Sequence, residues 1–211
     1  MLKEVLTADL KGKIIQQALL LFEEHGFHGV SVNQIVSSVG TSKGGFYHHF
    51  TSKDELLFVI HDTFITYVID KAQLAREKHD SPMKQLQEIV RSFVNVFDLY
   101  KAHIAVFYQE ELYLKPDYEK QIKAKRDQFK HIIAATIGDG KAKGEIRSDL
   151  SIEITTMAIL GMVNWTYKWY KRSGSKSIDE IACIFNDLIL HAILQENLLT
   201  QERFEKIVLY G

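Results

Sequence analysis

The chain has 211 residues, 46% hydrophobic and 25% charged, which is the balance of a globular protein rather than a disordered or fibrous one. The formal net charge of −1 excludes a protein that relies on overall basicity to bind nucleic acid. A single cysteine excludes an intrachain disulfide, and no apolar run reaches the length of a bilayer. Since the N-terminus also lacks the apolar core of a signal peptide, we expect a cytoplasmic protein that does not contact membranes.

The spacing of the apolar residues predicts an all-α protein. Only two prolines occur, and apolar residues recur at three and four positions rather than at two. The first helix is predicted from Asp9 to about His25, with Gly26 as its end. Its buried side chains are predicted to be Ile15, Ala18, Leu19 and Phe22.

The residues after Val30 predict a second helix that ends in a tight turn. Ser31 and Gln34 have the spacing of a capping box, and this predicts a helix that begins near Val32. Gly40 is expected to end that helix in the left-handed conformation, which glycine adopts without steric cost.

A third, very short helix is predicted directly after this turn. Thr41 or Ser42 is expected to cap it, and Phe46 and Phe50, four residues apart, are expected to face the core. The helix would begin with Lys43 and two glycines, although each helical glycine costs about 1 kcal/mol relative to alanine. Small residues at a helix start suit the close approach of a phosphate. Donors expected around that phosphate are Lys43, Tyr47, His48 and Lys53.

The run G-x-S-K-G-x-x-Y-x-x-F-x-x-K, from Gly40 to Lys53, resembles the DNA-binding signature of the TetR (tetracycline-repressor) family of bacterial regulators. The resemblance also includes Ala18, Leu21, Phe22, Gly26, Phe27 and Ile35. It implies an N-terminal three-helix helix-turn-helix head, residues 1–52, and a larger C-terminal helical domain for ligand binding and dimerisation, residues 53–211. The sequence departs from the family at Val36, where alanine is usual, and at Gly45, where a small polar residue helps to read bases.

The same resemblance implies a double-stranded DNA operator as the partner. Residues expected to bind it are Ser31, Asn33, Thr41, Ser42, Lys43, Gly44, Gly45, Tyr47, His48 and Lys53. No arginine precedes Arg76, so lysines and backbone N–H groups must supply the phosphate contacts. Repression is the expected sign of regulation.

Six further helices are predicted beyond the head. They begin at a Ser52/Glu55 capping box (to about Lys78), at Pro82 (to a break near Tyr100), near His103 (through Leu112), at about Asp117 (past Ile133), at Ile152 (to about Lys171) and at a Ser177/Glu180 capping box (Ile178 to about Glu196). The residues from Thr200 on are expected to add one or two turns, packed by Phe204 and Val208.

The last two of these helices are apolar beyond a single stripe, which predicts a partner surface. The residues concerned are Leu160, Met162, Val163, Trp165, Ile181, Ile184, Phe185, Leu188, Ile189 and Ala192. The resemblance implies a homodimer that pairs these helices and reads a near-palindromic operator, with half-sites about 34 to 36 Å apart. It also implies that a ligand changes the distance between the heads by tilting the helix that begins at Lys53.

Aromatic residues point to a small hydrophobic effector. The run Trp165-Thr-Tyr-Lys-Trp169-Tyr170 is similar to that of family members that control fatty-acid or sterol breakdown and respond to acyl-coenzyme A (acyl-CoA) thioesters. The expected ligand-binding residues are Phe64, Phe97, His103, Phe107, Trp165 and Trp169, with Lys168, Lys171 and Arg172 as candidates for phosphate contacts. Ordinary core packing of the aromatics, and a solvated basic helix end, stay open as alternatives.

Two other classes of protein compete with this interpretation. A helical metal-dependent enzyme would use His25, His28, His48 and His49, or Glu110 and Glu111 with His103, but neither set has the spacing of a metal or catalytic centre. We therefore expect no catalytic residues, metal or cofactor. A DNA-binding protein without a ligand is the second alternative, and it would need a body without a cavity.

Overall fold

The computed structural model describes residues 9–195, and these residues are helical, apart from connecting turns and one antiparallel bridge between Ile146 and Leu194. The helices are α1 Leu10–Gly29, α2 Val32–Val39, α3 Lys43–His49, α4 Lys53–Lys78, α5 Pro82–Leu99, α6 Lys101–Glu110, α7 Pro116–Ala142, α8 Ile152–Asn164, α9 Thr166–Trp169 and α10 Ile178–Ile193. The predicted all-α class is confirmed. The predictions for Glu196 and for Thr200 onwards lie outside the described residues.

The chain divides into two compact units. The first contains the residues up to Thr66 together with Tyr100–Ala124, and the second contains Tyr67–Leu99 together with the residues from Lys125 on. The first unit is thus larger than the predicted head, because it also holds the start of α4 and the segment around α6. The domain boundary at residue 52 stays a prediction.

In the first unit, α1, α2 and α3 pack on one another around buried apolar side chains. The predicted stripe of α1 is buried, and Asp9 caps the helix by accepting a hydrogen bond from the Gly12 N–H at 2.8 Å. Gly26 has a φ of +70°, which breaks the helical path as predicted, although a last turn continues to Gly29. Helix α6 packs against α1 in the same unit.

The start of α4 differs in detail from the predicted capping box. Ser52 accepts a hydrogen bond from the Glu55 N–H at 3.1 Å, as predicted. The carboxylate of Glu55, however, accepts from the N–H and hydroxyl of Thr51, at 2.5 and 2.6 Å, rather than from Ser52. These hydrogen bonds lower the pKa of Glu55.

Two predicted helices are interrupted. Helix α6 ends at Glu110 and is followed by a 3-10 turn, Glu111–Tyr113, that leaves Leu112 91% exposed rather than packed in a helix. The helix predicted from Ile152 to about Lys171 consists of α8 and α9, separated at Trp165, and the chain becomes extended at Tyr170. The breaks fall at Glu111 and at Trp165, and neither residue is a proline, so the sequence gives no clear signal for them.

In the second unit, α5 packs against α8, α9 and α10. Phe93 on α5 meets Phe129 on α7 edge to face, with ring centroids 4.9 Å apart. Helix α10 begins at the predicted capping box, where Ser177 and Glu180 exchange both hydrogen bonds. Among residues 9–195, the helices lack the combination of length and apolar composition that crossing a bilayer requires.

Candidate DNA-binding surface and effector site

The predicted helix-turn-helix is present with its capping interactions. The Ser31 hydroxyl accepts from the Gln34 N–H at 3.3 Å, and the Gln34 side chain accepts from the Ser31 N–H at 2.8 Å. Gly40 ends α2 with a φ of +74°. Ser42 then caps α3 by accepting from the Gly45 N–H at 3.2 Å. The turn between α2 and α3 is therefore fixed by local contacts that the sequence predicts.

Helix α3 presents a polar face to solvent and buries the opposite face. Phe46 is fully buried, and Phe50, just after the helix, is also in the core. Tyr47 is 52% exposed. The other predicted DNA-binding residues that are exposed are Ser31, Asn33, Ser42, Lys43, Gly44 and His48. The exposed start of α3 thus combines a lysine, a tyrosine and a glycine next to helix N–H groups, which together suit a phosphate.

Gly45 is half-buried, and its missing side chain has an intramolecular explanation. A Cβ at this position would lie 2.5 Å from the Thr41 hydroxyl oxygen and 3.3 Å from a methyl group of Leu10. Gly44, in contrast, is exposed, and a Cβ there would meet only the Ser42 hydroxyl, at 3.5 Å. Glycine at position 45 therefore leaves room for the Thr41 side chain in the turn before α3, with a smaller contribution from Leu10 of α1. Roles of Gly45 and Thr41 in DNA binding stay predictions.

Lys53 is turned into the first unit rather than towards solvent. Its ammonium donates to the carbonyl oxygens of Phe27, at 2.7 Å, and Val30, at 2.6 Å. The same ammonium lies 4.2 Å from the centroid of the Phe27 ring. Burial lowers the pKa of Lys53, while the nearby carboxylates of Asp54 and Glu110 oppose this shift. The structure thus places the Lys53 ammonium in contact with the end of α1, and its predicted contact with a phosphate stays a prediction.

Three of the predicted ligand-binding residues lie together in the first unit. Phe64 and Phe107 meet edge to face, with centroids 4.8 Å apart, and His103 lies one turn before Phe107 on α6. Sequence reasoning missed His61, which is fully buried, 4.8 Å from the Phe107 ring. The sequence could have indicated His61, because it lies three residues before Phe64 and therefore on the same face of α4. We call these four residues the aromatic–histidine cluster.

Burial favours the neutral form of His103, and His61 is held by a backbone contact. The Nδ1 of His61 lies 2.7 Å from the Leu57 carbonyl oxygen, which can only accept, so Nδ1 carries the proton. Burial, together with the neighbouring His61, lowers the pKa of His103 to about 4. The cluster therefore offers an apolar wall that contains the uncharged imidazole of His103 and the buried ring of His61.

The other three predicted ligand-binding residues lie in the second unit and are not gathered at one place. Phe97 is a buried core residue beside Phe93. Trp165 is 60% exposed. Trp169 lines a groove of about 370 Å³ together with Phe185, their ring centroids being 6.3 Å apart. The groove is also lined by Tyr170, Lys171, Gly174, Ser175, Lys176, Ile181 and Ile184.

Of the cations predicted to meet phosphates, Arg172 is engaged within the protein, since it donates to Asp98. Lys168 lies over the ring of Tyr167, 4.8 Å from its centroid, and Lys171 is exposed. Within residues 9–195, no group of three or more His, Cys, Asp or Glu side chains is placed to hold a metal ion.

A capped helix-turn-helix followed by helices is the architecture of a DNA-binding transcriptional regulator. Residues 14–60 match the family profile described as bacterial regulatory proteins, tetR family. Residues 79–193, more than half of the chain, match the profile described as the tetracyclin repressor-like C-terminal domain. The chain belongs to the TetR family, whose members are transcriptional regulators rather than enzymes, and the resemblance stated from the sequence is confirmed.

Curated relatives span most of the chain. The transcriptional repressor KstR2 of Mycolicibacterium smegmatis is 21% identical over 190 residues, 89% of this chain and 92% of its own. The transcriptional regulator UidR of Escherichia coli is 25% identical over 155 residues, 71% of this chain and 76% of its own.

Solved structures are similar in fold. The TetR family regulator PfmR of Thermus thermophilus has a TM-score of 0.78 and 27% identity, covering 84% of this chain and 97% of its own. KstR2 of Mycobacterium tuberculosis, a ketosteroid transcriptional regulator, has a TM-score of 0.79 and 20% identity, and the match covers 90% of this chain and 97% of its own. AibR, solved with isovaleryl coenzyme A and operator DNA, has a TM-score of 0.71 and 22% identity, and the match covers 83% of this chain and 95% of its own.

Proposed function

We propose that the protein is a ligand-responsive transcriptional repressor. As a homodimer it binds a near-palindromic DNA operator, and a small hydrophobic effector releases it. An acyl-CoA thioester is the candidate effector. A regulator of bacterial genes works where the chromosome is, so we also propose that it acts in the cytoplasm.

The observation that carries the DNA-binding proposal is the exposed, capped start of α3. Lys43, Gly44 and Tyr47 are exposed there, next to backbone N–H groups that a helix leaves available at its first turn. Phe46 and Phe50 anchor the opposite side in the core, so the polar face is held outward. This arrangement suits a helix in the major groove, with the donors on the flanking phosphates.

The proposal of a homodimer is supported by the two-sided character of α8 and α10. One side of each helix is buried within the second unit, through residues such as Val163 and Ile189. The other side exposes large apolar side chains: Ile154, Met157, Met162, Trp165, Ile184 and Leu188. Exposed apolar residues on two helices that both pack on α5 favour an interaction surface rather than a solvated one. An isologous contact would bury this surface on both copies.

Two places are candidates for the effector. The aromatic–histidine cluster of the first unit offers apolar rings beside the neutral imidazole of His103. The groove at Trp169 offers an apolar floor beside Lys171 and Lys176, and Lys176 is paired with Glu180 at 2.9 Å. The acyl chain of a thioester suits the apolar residues of either place, and the lysines beside the groove suit its phosphates. AibR, a structural neighbour, was solved with such a thioester.

The experiment begins with the selection of bound duplexes from a random DNA library, because the operator is unknown. A palindromic consensus with half-sites about one helical turn apart is expected. Sedimentation of the protein with the selected duplex gives the number of copies bound. Recovery of no enriched sequence would contradict the proposed function.

Acyl-CoA thioesters of several chain lengths are then tested for thermal stabilisation and for release of the selected duplex. A ligand that binds only the native state stabilises it by about 2.7 kcal/mol at a hundredfold excess over Kd. Free coenzyme A and free fatty acids are the controls. Stabilisation that depends on chain length, with release of DNA, supports the thioester; DNA binding unaffected by every thioester would favour a DNA-binding protein without this effector.

Variants then separate the two candidate places. Phe107→Ala alters the aromatic–histidine cluster, whereas Trp169→Ala alters the groove in the other unit. We expect Phe107→Ala to weaken the chain-length dependence, because Phe107 contacts both His61 and Phe64. An effect of Trp169→Ala alone would assign the effector to the groove instead.

A further inference from the structure

Lys53 occupies a position where three parts of the first unit meet. It is the first residue of α4, and its ammonium donates to the carbonyls of Phe27 and Val30 at the end of α1. Carbonyl groups at a helix end lack intrahelical partners, and a cation there satisfies them. Two of the three donors of the ammonium are thus used within the protein. The side chain is also only half-exposed, so it has little freedom to turn outward.

Glu110 supplies negative charge on the other side of this ammonium. It is the last residue of α6 and is 6% exposed, which is unusual for a carboxylate unless a cation is near. Its Oε1 lies 3.6 Å from the position that a Cβ would occupy on Gly26, so it lies beside the break in α1. Its charge favours the protonated form of Lys53, against the effect of burial on the pKa.

Neighbouring contacts join the same elements. Tyr113, in the turn after α6, meets His28 near the end of α1, with ring centroids 4.3 Å apart. Lys115 forms an ion pair at 3.1 Å with Asp54, the residue after Lys53. The end of α1 and the start of α4 are therefore both held by the segment that follows α6.

We propose that Lys53 is a positioning residue for DNA binding, with Glu110 as its counter-charge, and that it is not itself a phosphate contact. The inference rests on the proposed function. Helix α1 packs on α2 and α3, so the last turn of α1 helps to set the orientation of the exposed face of α3. Because α6 also carries His103 and Phe107, any movement of this helix changes the surroundings of Lys53 directly.

The salt dependence of DNA binding distinguishes a positioning residue from a phosphate contact. Each phosphate contact contributes about −0.9 to the slope of log K against log salt. Lys53→Met keeps the apolar stem over Phe27 but removes the charge, and Lys43→Met removes the exposed lysine of α3. With the selected duplex, we expect Lys53→Met to weaken binding at least about tenfold with an unchanged slope. Lys43→Met should reduce the slope by about one per bound head.

Glu110→Gln tests the counter-charge without removing Lys53. It should weaken DNA binding with an unchanged slope, and the double variant Lys53→Met/Glu110→Gln should lose less than the sum of the two single losses. A slope that falls in Lys53→Met as it does in Lys43→Met would overturn the proposal, as would strictly additive losses. The Glu110 variant keeps the test valid if Lys53→Met does not fold.

Amide hydrogen exchange gives a readout that does not involve DNA. The turn from Phe27 to Val30 should exchange about tenfold faster in Lys53→Met and in Glu110→Gln, and at an unchanged rate in Lys43→Met. Unchanged exchange in this turn would overturn the positioning role even if DNA binding were affected. Failure of the unaltered protein to bind any duplex, with faster exchange in the variants, would contradict the proposed function and leave the contact itself supported.

Discussion

Arg172 donates two hydrogen bonds to the carboxylate of Asp98: its Nε lies 2.6 Å from Oδ1, and its Nη2 lies 3.2 Å from Oδ2. The Tyr170 hydroxyl donates to the same Oδ1 at 2.8 Å. The pair fixes the segment after α9 to the end of α5, and the hydrogen bond to Asp98 raises the pKa of the Arg172 guanidinium. A guanidinium with these contacts is poorly placed to take part in phosphate binding.

Arg172→Met should therefore leave acyl-CoA affinity within about twofold of that of the unaltered protein, while it lowers the free energy of unfolding by up to about 1 kcal/mol. If the effector occupies the groove at Trp169, Lys171→Met should weaken the same ligand about three- to tenfold, since this exposed lysine lines the groove and is available for a phosphate. Isothermal titration with one thioester measures both. Equal losses in the two variants would show that Arg172 leaves Asp98 to bind the ligand.

Leu188→Glu should separate the proposed homodimer into monomers. Leu188 is 53% exposed on the apolar side of α10, and a carboxylate buried against a second copy would lack a partner. We expect the dimer dissociation constant to rise at least about a hundredfold. Leu74→Glu is the matched control, because Leu74 is 49% exposed but lies on α4. Analytical ultracentrifugation over a concentration series measures both, and an unchanged dimer in Leu188→Glu would contradict the proposed interface.

Local signals in the sequence predict the ends of several helices well, in the DNA-binding head and beyond it. Capping boxes at Ser31 and Ser177, and the left-handed Gly40, depend on residues within three positions of each other, so the sequence contains their whole cause. Burial of Phe46 and Phe50 follows from their spacing alone.

Features that depend on distant residues escape prediction from the sequence. Lys53 donates to the carbonyls of Phe27 and Val30, more than twenty residues earlier in the chain, and no local pattern predicts such a contact. The gathering of His61 and Phe64 with the residues of α6 needs two helices that are about forty residues apart in sequence. Such contacts are set by the packing of side chains. The periodicity of the sequence predicts which face of a helix is buried, but not which residues that face contacts.

Gly44→Ala should affect stability and DNA binding in opposite directions. A methyl group there meets only the Ser42 hydroxyl, at 3.5 Å, so helix propensity should raise the free energy of unfolding by about 0.5 kcal/mol. If a DNA backbone approaches the start of α3, the same methyl group should weaken binding of the selected duplex at least about tenfold.

Gly138→Ala is the control for this prediction. Gly138 lies inside α7, and a Cβ there would be in ordinary contact with Ile152, at 3.6 Å. It should stabilise the protein without changing DNA affinity. Thermal unfolding and duplex titration are measured on both variants. Full DNA affinity in Gly44→Ala would mean that no backbone approaches this glycine.

Replacement of His103 should make the stability of the protein less dependent on pH. In the folded state the pKa of His103 is lowered to about 4 by burial and by His61, whereas in the unfolded chain it is about 6.5. Between these values the unfolded state binds more protons, so this histidine makes stability fall as the pH falls. From pH 7 to pH 5 the loss in the free energy of unfolding due to His103 is about 2 kcal/mol.

Urea unfolding of His103→Leu over this pH range should show a loss in the free energy of unfolding that is smaller by that amount. His131→Leu, at an exposed position, is the control and should follow the unaltered protein. Parallel curves for the unaltered protein and His103→Leu would mean that His103 takes up its proton in the folded state as easily as in the unfolded chain.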